Sequence, residues 1–257
     1  MLDGKRLLVS GLASEESIAS AVARRAIAMG AEVLVVAYPR DVAAARDVVA
    51  TFAKPPVGVV PLDATLQDDL ELLEERLRSL WGSLDGALHA IAFAPKSALA
   101  SVMDVPVGQV EAAVRTSVWS YAAFGSLLSR LAPPSGASLV GMDFDSARAW
   151  PVYNWMGPCK AALESLNSYL ARDLAAAGVR ANLVAAGPLR TRAANGIPDF
   201  EVLVEAWNRQ APLRWDPTDS SAVADAVCFL LSDLARSITG EVLHVDGGFH
   251  AMAAPLR

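Results

Sequence analysis

Short apolar runs alternate with helical patterns along the whole chain, and this alternation constrains the fold more than any other feature. Residues 6–10, 32–37, 57–62, 87–93, 137–142, 180–185 and 241–245 are each apolar almost throughout. A strand that is apolar throughout, rather than at every second position, is covered on both faces. Between these runs the spacing becomes helical. Ile18, Val22, Ala26 and Met29 share one face, with Gly30 as a stop, and Leu66, Leu70, Leu73, Leu77 and Leu80 share another. Helices are also predicted over 41–53, 107–131, 153–177 and 223–231. Strands separated by helices imply right-handed crossovers and a parallel sheet. The expectation is a single doubly wound α/β domain over 1–257, of Rossmann type, with seven parallel strands.

Composition removes other classes. Of 257 residues, 53% are hydrophobic and 19% charged, which excludes a disordered chain. With 22 basic and 28 acidic side chains the formal charge is −6, so no general electrostatic footprint for nucleic acid exists. The conspicuous uncharged run, Thr116 to Ser129, is too short and too rich in serine for a membrane span, which needs about 20 apolar residues. It reads as a buried or interface helix. No signal peptide pattern precedes the first strand, and Cys159 and Cys228 form no disulfide framework. A cytoplasmic location is expected.

Doubly wound sheets bind ligands beyond the carboxyl ends of their strands. At the first such end, Ser10-Gly11 leads to Ser14 and Ser17-Ile18. Either this turn admits a pyrophosphate to the helix N-terminus, or it is a plain turn capped by Ser14 or Ser17. Only Gly11 of the usual three glycines is present. Strand two ends Tyr38-Pro39-Arg40 without an acid. Tyr38 suits stacking on adenine, and Arg40 either tolerates a ribose phosphate or is a solvated loop residue, so NADPH stays open beside NADH. Asp63 either accepts from an adenine amino group or caps the next helix. Gly187-Pro188 is a stiff turn; either it presents backbone to a planar ring and the Thr191 hydroxyl to a diphosphate, or it is simply a loop.

Tyr153 and Lys160 lie seven residues apart, about two turns less 20°, and so share a face if both are helical. A tyrosine hydroxyl beside an ammonium suits a developing oxyanion; a half-buried tyrosine and a surface lysine is the plainer reading. His89 and His244 fall in apolar strands, as core histidines do. No zinc-type cluster, P-loop or G-x-S-x-G elbow occurs, and no metal is expected.

The segments Val140-Gly-Met-Asp-Phe-Asp-Ser-Ala-Arg-Ala, Tyr153-Asn-Trp-Met, Asn182 to Thr191 and Val245-Asp-Gly-Gly248, with the Tyr-x6-Lys spacing, resemble the enoyl-acyl-carrier-protein reductases of the short-chain dehydrogenase superfamily. The likeness spans nearly the whole chain and is strongest to the mycobacterial, NADH-dependent branch. It implies hydride transfer from NADH to a trans-2-enoyl thioester on acyl carrier protein or CoA, in fatty acid biosynthesis, by a homotetramer. Two alternatives remain: a reductase of a specialised natural-product intermediate, and a non-catalytic NAD-binding homologue.

The resemblance makes Tyr153 the oxyanion donor, Lys160 the ribose and field residue, and Phe144 a packing residue beside the substrate. It places Gly11, Ser17, Ile18, Tyr38, Asp63, Ala64, Ile91, Ala92, Lys160, Gly187, Pro188, Leu189 and Thr191 at the cofactor. It places Phe93, Met142, Phe144, Met156, Ala193 and Ile197 at the substrate. Three departures stand out. The family's usual His-Ser-Ile-Gly-Phe is His89-Ala90-Ile91-Ala92-Phe93 here, which implies either a weaker hold on the cofactor or an adjustment elsewhere. Pro158 implies that the catalytic helix starts late or bends. The substrate loop, 191–212, expected to be short and helical, is shorter than in the mycobacterial long-chain enzymes, which implies short, medium or specialised acyl chains.

Overall fold

A computed structural model describes residues 1–254 of the chain. Seven strands form one parallel sheet: β1 Arg6–Ser10, β2 Glu32–Ala37, β3 Gly58–Pro61, β4 Gly86–His89, β5 Ala137–Asp143, β6 Val179–Ala186 and β7 Val242–Val245. Their spatial order is β3-β2-β1-β4-β5-β6-β7. The order reverses between β1 and β4, and a doubly wound sheet opens its ligand crevice at such a point.

The strands are apolar throughout because each divides its side chains between two cores. Leu7 and Val9 of β1, with Val33 and Val35 of β2, pack against α1 (Ile18–Ala28), α2 (Val42–Ala50) and α9 (Ser221–Leu231). Leu8, Leu34 and Val36 face α3 (Gln67–Trp81), α6 (Ser120–Leu131) and α7 (Met156–Asp173). In α3 the leucines 70, 73 and 77 are buried at helical spacing, and Asp68 and Asp69 sit at the positive end of the helix dipole. Among the described residues no helix is long and apolar enough to cross a membrane.

Three predicted elements shift. Strand β4 stops at His89, whereas the apolar run continues to Phe93; residues 90–95 leave the sheet and edge the crevice. The helix predicted over 107–131 is α5 (Val107–Val114) joined to α6 by a π turn at Arg115–Trp119. Helix α7 starts at Met156, so Pro158 is its third residue, where a missing amide costs no helical bond. The segment 191–212 is helical as expected, holding α8 (Glu201–Gln210), and a short helix that the spacing does not suggest, α4 (Lys96–Ala100), follows β4.

A third cluster sits above the carboxyl ends of β5 and β6. Phe144 packs on Tyr153, Trp150 and Trp207, with ring centroids 4.9, 5.3 and 5.5 Å apart, and Trp207 stacks on Phe249 at 3.9 Å. This aromatic layer ties the turn before α7 to α8.

Candidate active site

The crevice is a cavity of about 810 Å³ along the carboxyl ends of the strands. Its wall includes Tyr38, Asp63 and Ala64, which follow β2 and β3, and Phe93, Met142, Phe144, Tyr153, Met156, Ala193 and Ile197. Gly11, Ile18, Ile91, Ala92, Lys160, Gly187, Pro188, Leu189 and Thr191 also line it. Of the expected site residues only Ser17 is not in the wall.

The turn after β1 is built around Gly11. Its φ is +88°, and a Cβ there would lie 2.1 Å from the carbonyl oxygen of Ala90. The glycine is therefore required by the close passage of two backbone segments, independent of any ligand. Ser10 Oγ donates to Leu88 O at 2.8 Å and accepts from Ala90 N at 3.2 Å.

Ser17 occupies the N-cap position of α1, but its hydroxyl donates to Ser14 O at 2.6 Å instead of capping the helix. The amides of Ile18 and Ala19 find no acceptor among the described residues. An uncapped helix N-terminus at the crevice suits a diphosphate. With a cavity of about 810 Å³ that Tyr38 also lines, this set of residues fits a dinucleotide.

Arg40 lies with its guanidinium 5.0 Å from the Tyr38 ring centre and is largely exposed. Asp63 Oδ1 accepts from the Thr65 amide at 2.9 Å and hydroxyl at 2.7 Å. It thus shapes the turn before α3, whose cap position is Leu66. Arg192, absent from the sequence expectations, reaches Asp41 Oδ1 at 2.9 Å and Ala13 O at 3.3 Å, joining the substrate loop to the turns after β1 and β2.

Ser117, inside the π turn, accepts from Phe93 N at 3.0 Å and donates to Phe93 O at 3.2 Å. Ser10 and Ser117 thus hold the 90–93 segment that lacks the family's serine and glycine. Such π turns recur at functional sites. Helical spacing gives no sign of one, so Ser117 was legible only as a helix residue.

Tyr153 precedes α7 rather than belonging to it. Its neighbours Val152 and Asn154 have φ of +60° and +38°. For a β-branched residue this is a strained backbone. Asn154 Nδ2 donates to Leu99 O at 2.6 Å, and Trp155 N to Ala98 O at 3.1 Å, which holds the turn. Tyr153 and Lys160 share the cavity wall, although only Lys160 is helical. Burial, aided by the nearby Asp143 carboxyl, raises the Tyr153 hydroxyl well above its ordinary range and keeps it a neutral donor.

Lys160 is buried and donates to Met142 O at 2.8 Å. Burial pulls its ammonium downward, against the opposing pull of Asp143. Asp143 itself is pushed up to about 8, mainly by burial, with Lys160 opposing and Glu164 reinforcing the shift. His89 is held near 3 by burial and by Lys160; the neutral ring of this core histidine meets Ser120 Oγ at 2.7 Å through Nε2, while its Nδ1 has no partner among the described residues. His244 is instead partly exposed and stacks on His250 at 4.0 Å.

At the end of β6, a Cβ on Gly187 would meet Trp215 at 2.7 Å and Trp207 Nε1 at 2.8 Å. Trp215 Nε1 donates to Pro188 O at 2.8 Å, and Thr191 Oγ1 accepts from Ala194 N at 3.2 Å. Two indoles therefore fix the turn that carries Pro188 and Leu189 into the wall.

A parallel sheet of this order, with a tyrosine and lysine at the crevice, defines a reductase-type dinucleotide fold of the short-chain dehydrogenase class. The sequence profile described as enoyl-(acyl carrier protein) reductase matches residues 11–250, and the chain belongs to that family. An NADH-dependent enoyl-acyl-carrier-protein reductase of Mycolicibacterium smegmatis is 37% identical over 263 residues, covering 96% of this chain and 97% of the relative. Enzymes of the same name from Aquifex aeolicus and Escherichia coli K12 are 38% and 36% identical, each over 98% of this chain and over 93% and 96% of their own.

Proposed function

We propose that this chain reduces the trans-2 double bond of an enoyl thioester with NADH, in fatty acid biosynthesis. The observation that carries the reading is a buried tyrosine and a buried lysine in the wall of a crevice whose other features suit a dinucleotide. Bound NADH supplies the hydride for the β-carbon. The residues do the rest. Tyr153 donates a hydrogen bond to the thioester oxygen as enolate charge develops there. Lys160 holds the nicotinamide ribose and adds a positive field in a dry site. The uncapped start of α1 and Thr191 receive the diphosphate, and Tyr38 and Asp63 hold the adenosine. The remaining contacts come from Gly11, Ile18, Ala64, Ile91, Ala92, Gly187, Pro188 and Leu189, while Ser17, outside the wall, shapes the start of α1 through Ser14. Phe144, which has no hydroxyl, packs beside the acyl group with Phe93, Met142, Met156, Ala193 and Ile197.

The carrier of the acyl group is acyl carrier protein, with CoA as its laboratory substitute. The whole chain acts as one catalytic domain in the cytoplasm, assembled as a homotetramer. Segment 191–212 is the substrate loop, and its shortness selects short and medium chains. In a series of trans-2-enoyl-CoA substrates from four to twenty carbons, kcat/KM with NADH is expected to peak at or below about twelve carbons, with each buried CH₂ worth about 0.8 kcal/mol up to that length. A clear optimum at the longest chains would overturn the assignment of chain length.

A further inference from the structure

Asp143 is the last residue of β5, and its side chain is 0% exposed. Neither carboxyl oxygen has a hydrogen-bond partner among the described residues. An ionised buried carboxylate ordinarily accepts two or three hydrogen bonds. The nearest cation, Lys160 Nζ, is 4.0 Å away and gives its hydrogen bond to Met142 O instead. Glu164 follows Lys160 by one turn of α7, accepts from Ser146 N at 3.1 Å, and sets a second acid beside the first. The other titratable neighbours of this group are His89, on the adjoining strand, and Tyr121, Tyr153 and Cys159, all neutral at physiological pH. One ammonium thus stands among two acids; the Phe144 amide beside the better buried acid favours its charge, Glu164 opposes it, and neither of its oxygens has a donor at hydrogen-bond geometry.

We propose that Asp143 is a positioning residue for Lys160. Its carboxyl is neutral at physiological pH and leaves the ammonium to the cofactor ribose and the substrate. Its ionisation at alkaline pH draws the ammonium into an internal pair and sets the upper pH limit of the reaction. The proposal rests on the enoyl reduction described above. Burial supports it, since it holds the Asp143 carboxyl near 8 instead of in the ordinary carboxylate range. The proton leaves Asp143 for water and returns from it, so nothing else is consumed.

The test compares wild type, Asp143→Asn and Glu164→Gln from pH 6 to 10. It records kcat, normalised to each protein's own value at pH 7, and the Kd for NADH by fluorescence. Wild-type kcat is expected to fall about tenfold between pH 7 and 9, as one group near 8 ionises. Asp143→Asn moves that limb upward by a unit or more. Glu164→Gln removes a like charge and moves it downward. The alkaline weakening of NADH binding follows the same order. A limb unmoved in both variants, or moved downward in Asp143→Asn, would overturn the proposal. If Asp143→Asn fails to fold, the downward shift in Glu164→Gln and the NADH titrations decide. A wild type that binds NADH with this pH dependence but turns over no enoyl thioester would sink the function and spare the role of Asp143.

Discussion

Tyr153→Phe is expected to lower kcat for an enoyl thioester by about 10²- to 10³-fold, the loss typical of one preorganised oxyanion donor. The ring should stay where it is. It packs on Phe144 at 4.9 Å and sits in a turn held by Asn154 and Trp155, so the substitution removes only the hydroxyl. That hydroxyl is buried and stays protonated at any working pH, so it acts as a hydrogen-bond donor and not as an acid titrating near neutrality. The loss should therefore fall on kcat rather than on KM, and the residual rate should keep the wild-type pH profile. Steady-state kinetics with a medium-chain enoyl-CoA check this. A kcat within threefold of wild type would mean that another group stabilises the oxygen.

Gly11→Ala is expected to damage both stability and the cofactor site. The new Cβ would lie 2.1 Å from Ala90 O, a backbone atom that cannot swing away, at a φ of +88°. Left-handed strain costs about 1–3 kcal/mol. Overpacking adds about 1–3 kcal/mol more. For a chain of this size each kcal/mol lowers Tm by about 2–4 °C. The strain pushes the β1–α1 turn away from residues 90–93, so NADH should bind more weakly as well. Gly108→Ala is the matched control: nothing lies within 4 Å of its Cβ position and it is helical, so stability should hold or rise by up to about 1 kcal/mol. Thermal melts and NADH titrations on both variants check the pair. Equal melting temperatures would show that the turn is looser than the contact at Ala90 requires.

The sheet was legible because its strands are buried on both faces, which leaves an unbroken apolar run as a direct trace. The same rule overran at β4. Residues 90–93 are as apolar as a strand, yet they line a crevice and are held by Ser10 and Ser117 hydroxyls rather than by a neighbouring strand. The seven-residue spacing brought Tyr153 and Lys160 to one wall, though not as a helical face. Two left-handed residues place the tyrosine, and nothing in Val152 or Asn154 as a residue type announces that conformation. Ser117, Arg192 and the indoles of Trp207 and Trp215 were missed for a common reason. Each works through contacts distant in sequence, to Phe93, Asp41, Phe144 and Pro188. Gly11 reads from the sequence as either a phosphate glycine or a plain tight turn, and its immediate constraint is the carbonyl of Ala90.

The most direct measurement follows a single hydride. The protein is incubated with a medium-chain trans-2-enoyl thioester and NADH carrying deuterium at both C4 positions of the nicotinamide, and the product is analysed by mass spectrometry and NMR. The account predicts a saturated thioester with one deuterium on the β-carbon and one solvent-derived hydrogen on the α-carbon, formed in step with NADH oxidation. Deuterium at a carbonyl carbon, or intact enoyl thioester after prolonged incubation with bound NADH, would contradict it.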